Sequence, residues 1–370
     1  MLDAVAEAFT VPPHLVRRAA MLGGGTPEVA VAAATGGVAA LESFRLVVGR
    51  AVRPMLAASA PDVAAAVAGF ADSAVVWDAK LDGIRAQVHR LGGEVRIFTR
   101  SLDDITTRLP EVVARALALP ADDFVLDGEV LLIDEAGRPR PFQETSARTA
   151  SLQDRTQVRF FAFDLLALAG EILLDEPLRH RREALASLVP ASDVVAHLET
   201  QEAAAVETFF DQVVAAGLEG VVGKELGAPY AAGRRGASWV KVKPRHTLDL
   251  VVIAVEWGSG RRRGLLSNIH LAARGDEGEL VPVGKTFKGM TDAMLAWQTE
   301  RFLDLEVSRD GHVVHVRPEQ VVEIAVDGVQ RSRRYPGGVA LRFARVVGYR
   351  DDKTAEEADG IETVRGLGDG

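Results

Sequence analysis

Val75-Val-Trp-Asp-Ala-Lys-Leu-Asp-Gly-Ile-Arg-Ala-Gln-Val-His-Arg90 is the stretch on which the reading of this chain turns. Apolar and polar residues alternate on both sides of Asp82-Gly83, which predicts two strands joined by a tight hairpin. Lys80 falls at the end of the incoming strand and Arg85 at the start of the outgoing one. A lysine amine is ordinarily protonated, with a pKa of about 10.4, so it is a weak nucleophile in water. Beside other cations, or partly desolvated, it sheds its proton more easily and attacks phosphorus or carbonyl carbon. A charged surface hairpin has the same local pattern, so this segment alone does not separate structure from chemistry.

Outward from it the texture divides the chain. Residues 53 to about 244 alternate predicted strands (75–81, 87–91, 95–99, 124–133, 158–166 and 221–224) with predicted helices (105–117, 181–188 and 202–216). After Pro244 the predicted strands crowd together, at 250–257, 269–273, 280–283, 313–316, 321–329 and 341–349, with one helix over 291–303. That density fits a small β-barrel. Residues 1–52 predict helices: Pro12 and Pro13 open one through 15–22, and Gly23–Gly25 end it. Thr26 is the expected N-cap of a second, which Gly36-Gly37 close.

Composition sets the outer bounds. The chain has 370 residues, 48% hydrophobic and 26% charged, a globular balance that suggests two or three domains. No apolar run is long enough to span a bilayer, and the N-terminus lacks a secretion signal. The absence of cysteine excludes disulfides and thiolate metal sites and fits a reducing cytosol. A net charge of −9 does not exclude a nucleic-acid partner, because phosphate is met by local basic surface. Arginines cluster at 261–263, at 331, 333 and 334, and at 342, 345 and 350, whereas 351–370 reads as an acidic tail.

Four further elements follow the lysine segment in order: Leu126-Asp-Gly-Glu129, Phe161-Ala-Phe-Asp164, Glu219-Gly-Val-Val-Gly-Lys224 and Trp239-Val-Lys-Val-Lys243. From about Arg53 onward the series resembles the motifs of covalent nucleotidyltransferases, which include ATP-dependent DNA ligases, RNA ligases and capping enzymes. The resemblance implies that Lys80 attacks the α-phosphate of ATP and becomes bonded to AMP. Asp78 stands where these ligases usually carry the glutamate that accepts from the adenine amino group; aspartate is one methylene shorter. Arg85 is implied at the ribose or nick terminus, Arg100 at the nick 5′-phosphate, and Phe163 on the adenine face, with Phe161 as its competitor. Glu129 and Glu219 are implied to contact ribose and Mg²⁺, whose preference for hard oxygen ligands suits them. Lys241 and Lys243 share one strand face and are implied to grip the α-phosphate and ease Lys80 deprotonation. Edge protection of a strand is the bland alternative for that pair.

Leu341-Arg-Phe-Ala-Arg-Val-Val-Gly-Tyr-Arg-Asp-Asp-Lys353 resembles the last ligase motif, in which Arg350, Asp352 and Lys353 orient departing pyrophosphate. Glu256–Gly264 and Gly284–Asp292 resemble a bacterial or archaeal-type ATP-dependent DNA ligase, with Arg261–Arg263 touching backbone phosphate. The implied fold class is α+β and multi-domain. It comprises a partial helical DNA-binding domain (1–52), an adenylation domain with antiparallel sheets (53–244), an OB-fold barrel (245–350) and the acidic tail. The helical part is shorter than in the larger ligases, which implies an N-terminally shortened form. The expected activity is nick sealing in duplex DNA with ATP and Mg²⁺ by a monomeric, cytoplasmic, nucleoid-associated enzyme, its barrel swinging about 244–247. The alternatives are an RNA ligase, a capping-type guanylyltransferase, or a silent DNA-binding scaffold of the same fold.

Overall fold

The computed structural model describes all residues except 24, 136, 152–155, 232–234 and 369–370. Gly24 of the expected helix stop and the end of the expected tail lie outside the described residues. The chain divides into two compact units, Met1–Lys243 and Pro244–Gly370. Among the described residues no helix is long and apolar enough to cross a membrane.

The first unit opens with helices α1 (Leu2–Ala8), α2 (Pro13–Met21) and α3 (Thr26–Glu42), packed around Val16, Ala19 and Val29. Gly25, not Thr26, precedes the first turn of α3. Gly37 (φ 56°, ψ −137°) interrupts α3 as only glycine does cheaply, yet helix resumes at once and runs to Glu42. The next elements are β1 (Leu56–Ser59), α4 (Val63–Gly69), β2 (Val75–Lys80), β3 (Ile84–Leu91) and β4 (Glu94–Thr99). Pro110 splits the expected 105–117 helix into a 3-10 turn and α5 (Pro110–Leu117), because proline is tolerated only in a first helical turn. Then come β5 (Asp123–Leu132), α6 (Phe142–Ala150), β6 (Val158–Leu168), β7 (Glu171–Ile172) and α7 (Leu178–Leu188). The unit closes with β8 (His197–Glu199), α8 (Ala203–Ala215), β9 (Gly220–Glu225) and β10 (Arg235–Val242).

These strands make two five-stranded sheets, ordered β1-β10-β9-β2-β8 and β4-β3-β5-β6-β7. The expected hairpin at Asp82-Gly83 is therefore wrong. β2 pairs with β8 and β9, while β3 pairs with β4 and β5, so residues 81–83 carry the chain from one sheet to the other. Gly83 is required there by proximity: a Cβ on it would run into the carbonyl oxygen of Val130 on β5. Val75, Trp77 and Ala79 of β2 pack beneath the first sheet with Val63, Val206 and Val213 of α4 and α8. Ala86, Val88, Leu126 and Val130 pack beneath the second with Val112 of α5 and Leu185 of α7. Because strand side chains alternate, the other face of each sheet is left for the residues between them.

The second unit contains β11 (His246–Trp257), β12 (Leu266–Arg274), β13 (Leu280–Thr286), α9 (Asp292–Asp304), β14 (Glu306–Asp310) and β15 (Val313–Val316). It ends with β16 (Val321–Val326), β17 (Gly328–Arg331), β18 (Val339–Arg342), β19 (Arg345–Arg350) and α10 (Ile361–Gly366). The long β11 gives its first half to β16 and its second to β15, turning at a register shift between Val252 and Ala254. No closed barrel is found among the described residues: β13, β14 and β19 each pair on one side only, although the Val346 N–H of β19 donates to the Lys288 carbonyl just past β13 at 2.9 Å. His246 and Thr247, expected within a hinge over 244–247, pair with Val326 and Ala325 as the first residues of β11.

Residues 351–368 are not a loose acidic tail. Ile361 and Val364 are buried in the core of this unit, and the Asp359 N–H donates to the Asp249 carbonyl at 2.8 Å. The apolar spacing Ala358, Ile361, Val364 outweighs the surrounding charge.

Candidate active site

Three strands of the first sheet, β2, β9 and β10, turn alternate residues toward the second sheet. Val75, Trp77, Ala79, Val221 and Val242 are taken by the core behind, which leaves Asp78, Lys80, Lys224, Trp239 and Lys241 on the inward face. Arg85, Asp127 and Glu129 face them from β3 and β5, where Arg85 stands opposite Glu129. β10 lies between β1 and β9, so edge protection does not account for Lys241 and Lys243.

Lys80 Nζ is hydrogen-bonded to Glu219 Oε2, and the other oxygen of that carboxylate takes Lys243 Nζ at 2.8 Å. Glu219 sits one residue before β9, and Gly220 (φ 125°) permits the turn, since a Cβ there would strike the Val242 carbonyl oxygen. Burial alone would raise the Glu219 carboxyl; the Lys80 and Lys243 ammonium groups outweigh it and hold it below the ordinary range. Glu129 behaves oppositely. Burial pushes its carboxyl up to about 7 against the pull of Lys80 and Arg85, and the bond it accepts from the Gly83 N–H is long (3.3 Å).

Behind Lys80 lies a buried ion triad. Asp78 is 2.6 Å from Lys224 Nζ and 2.9 Å from Arg182 of α7. The Lys224 contact is an ion pair rather than a well-directed hydrogen bond. Burial draws the Lys224 ammonium below the ordinary lysine range, opposed by Asp78 and Asp164. The same amine stands 4.2 Å from the ring centres of both Phe163 and Trp239, a cation held between two aromatic faces. Phe163 is presented by a bulge: it has no partner on β5, where the register shifts between Asp127 and Gly128. Phe161 lies under Arg159 instead. Asp78 is thus committed to two cations, which differs from the expectation of a carboxylate open to a base.

Arg85 is also committed. Its guanidinium forks onto Asp127 (3.1 and 2.7 Å) and donates to the Met55 carbonyl at 2.6 Å and to Tyr230 Oη at 3.2 Å. Asp127 is fully buried, so the pairing follows from the cost of leaving a carboxylate there unmatched. The guanidinium expected at the ribose or a nick terminus is therefore held by Asp127, Met55 and Tyr230 in this structure. Arg100 is exposed just past β4, and no partner is found for it among the described residues. In the second unit Arg350 forks onto Asp352 (2.8 and 2.7 Å) and reaches Asp249 at 3.2 Å, with Lys353 at 2.5 Å from the same aspartate.

The sequence reading had missed Lys224, Arg182, Asp127, Tyr230 and Asp249. Lys224 and Asp127 were both within reach: Asp127 shares a strand face with the expected Glu129, and Lys224 ends the Glu219–Lys224 element and lies opposite Trp239, two residues from the expected Lys241. Arg182, Tyr230 and Asp249 carried no local signal.

The Lys80 amine is thus set between Glu219 and the nearby Glu129 carboxylate, with Lys243 sharing Glu219. The family model for the ATP dependent DNA ligase domain matches residues 54–243, and that for the ATP dependent DNA ligase C terminal region matches 262–353. A probable DNA ligase of Beutenbergia cavernae is 63% identical over 99% of this chain and 74% of its own length. One from Nocardioides sp. is also 63% identical, over 98% of this chain and 71% of its own. The solved structure described as Pmar-Lig_Pre is 22% identical, with TM-score 0.61, over 82% of this chain and 69% of that one, a likeness of fold. The chain belongs to the ATP-dependent DNA ligase family.

Proposed function

We propose that this chain seals nicks in duplex DNA at the expense of ATP, with Lys80 as the residue that becomes bonded to AMP. The observation that carries this reading is the Lys80–Glu219–Lys243 arrangement, which holds one amine in place on a carboxylate shared with a second lysine. For the first step the Lys80 amine leaves Glu219, loses a proton and attacks the α-phosphorus of ATP. A P–N bond forms as the P–O bond to pyrophosphate breaks. Lys241 and Lys243 draw negative charge off the phosphate as it develops. AMP then passes to the 5′-phosphate of a nick, and the 3′-hydroxyl displaces it.

Phe163 supports the base, and Arg100, exposed and unpartnered among the described residues, serves the 5′-phosphate. Arg350 and Lys353 exchange Asp249 for pyrophosphate oxygens, and the sheet that bears them takes the part of the OB domain. Asp78, tied to Lys224 and Arg182, acts on the base through those cations. Glu129 and Glu219 suit Mg²⁺: a buried carboxyl pushed up to about 7 with a weak donor gains from a cation beside it. Two carboxylates fit an ion that keeps waters and phosphate ligands, and the described residues hold no cluster of three or more acidic or histidine side chains. The ion would offset triphosphate charge.

Incubation with α-labelled ATP and Mg²⁺ tests the reading. Wild type is expected to take denaturation-resistant label and to seal a nicked DNA duplex, and Lys80→Ala to do neither while remaining folded. Label that persists in Lys80→Ala, or that comes only from GTP, overturns it.

A further inference from the structure

Both backbone polar groups of Met55, the residue before β1, are held by side chains. Its N–H donates to Tyr230 Oη at 3.0 Å, and its carbonyl accepts from Arg85 Nη1 at 2.6 Å. Tyr230 in turn donates to Asp127 Oδ2 at 2.7 Å, the oxygen that Arg85 Nη2 also reaches at 2.7 Å. The four residues close a ring of hydrogen bonds, and Met55, Asp127 and Tyr230 are 2%, 0% and 1% exposed. Farther along the same face of β3, Gln87 takes both backbone groups of Val52 (2.9 and 2.5 Å). His89 Nδ1 accepts from the Gly49 N–H at 3.1 Å. Three alternate residues of one strand thus hold the backbone at 49, 52 and 55, the stretch that leads out of the N-terminal helices. That stretch is anchored at its other side as well, since the Arg53 N–H donates to the carbonyl of Met21 at the end of α2. Inward, the Arg85 guanidinium lies 5.3 Å from the centre of the Phe163 ring and 5.8 Å from that of Trp239.

We propose that Tyr230 and Asp127 are positioning residues for the nucleotide step, locking Arg85 against Met55 so that the segment leaving the helices sets where Arg85 stands beside Phe163. The inference rests on the lysyl-AMP reading above. A forked guanidinium with its donors pinned at fixed points has one orientation available. The Tyr230 hydroxyl is the link that both donates and accepts. Without it the Met55 N–H is buried unpaired and Asp127 lacks one donor, so the Nη1 bond to the Met55 carbonyl is left as the direct tie between Arg85 and the segment, and the guanidinium is less firmly fixed. None of the four belongs to the Lys80–Glu219–Lys243 arrangement, so the effect of the ring falls on nucleotide placement before it falls on chemistry.

The test compares lysyl-AMP formation by wild type, Tyr230→Phe, Arg85→Lys and the double variant of the full chain, over a range of ATP concentrations well below each Tm. Tyr230→Phe keeps the ring packed on Trp239 and is expected to raise KM for ATP about tenfold while kcat changes less than threefold. The double variant is expected to be no worse than Arg85→Lys alone, because both act through one guanidinium. Asp127→Asn, measured alongside, should show the same KM-weighted loss and covers the case in which Tyr230→Phe folds poorly. A Tyr230→Phe enzyme with lowered Tm and wild-type KM overturns the inference, as does multiplication of the two single effects. Absence of label on wild type overturns the lysyl-AMP reading and this inference with it.

Discussion

Glu219 shares its carboxylate between Lys80 and Lys243, one oxygen to each, so the expected nucleophile and one of its expected assistants meet on a single acidic group. Removing any member changes the charge felt by the other two. Glu219→Gln and Lys243→Met are each expected to slow single-turnover labelling of Lys80 by on the order of a hundredfold, the scale of losing one aimed electrostatic contact. Rates within threefold of wild type would show that the trio is structural.

Glu129 should impose a pH dependence on stability. Its carboxyl is pushed from 4.5 up to about 7 in the folded chain, so the folded state binds the proton more tightly than the unfolded state. The stabilisation is fully present below about pH 4.5 and is lost as pH rises through about 7, by at most about 3 kcal/mol. Thermal unfolding without Mg²⁺ should therefore show wild type losing ground to Glu129→Gln between pH 5 and 8. Parallel curves for the two proteins would exclude this.

Lys224 is 2% exposed and is held by Asp78 and two aromatic rings. Lys224→Met leaves Asp78 in a buried site with Arg182 alone and is expected to cost about 3–5 kcal/mol in urea unfolding. Adding Asp78→Asn should restore part of that loss. Simple additivity of the two substitutions would mean the pair is not coupled.

Val364 is fully buried against the core of the second unit. Val364→Ala is expected to destabilise that unit by roughly 1–3 kcal/mol, measured by thermal or urea unfolding. A dispensable acidic tail would tolerate the change without effect.

Much of the site was legible because strand alternation assigns a face from local residues alone. Asp78 and Lys80 share a parity on β2, as do Trp239 and Lys241 on β10, and the structure turns these faces inward. The boundaries that failed did so where local rules compete. Gly37 was expected to stop a helix that resumes after it, and Pro110 began a helix inside a segment expected to be continuous. Charge at 351–359 masked the apolar spacing that buries Ile361 and Val364.

The sequence by itself determined which residues could carry chemistry and in what order they occur. Alternation and glycine placement are written into neighbouring residues, and so was the inward direction of Lys80. Only the tertiary structure decided that β2 and β3 part at Gly83 into separate sheets and that β11 is shared between β15 and β16 in the second unit. It alone matched Arg85 to Asp127, Tyr230 and Met55, and Asp78 to Arg182. The physical reason is that local periodicity tells a side chain which way to point, whereas its partner is chosen by burial cost across pairings far apart in the chain.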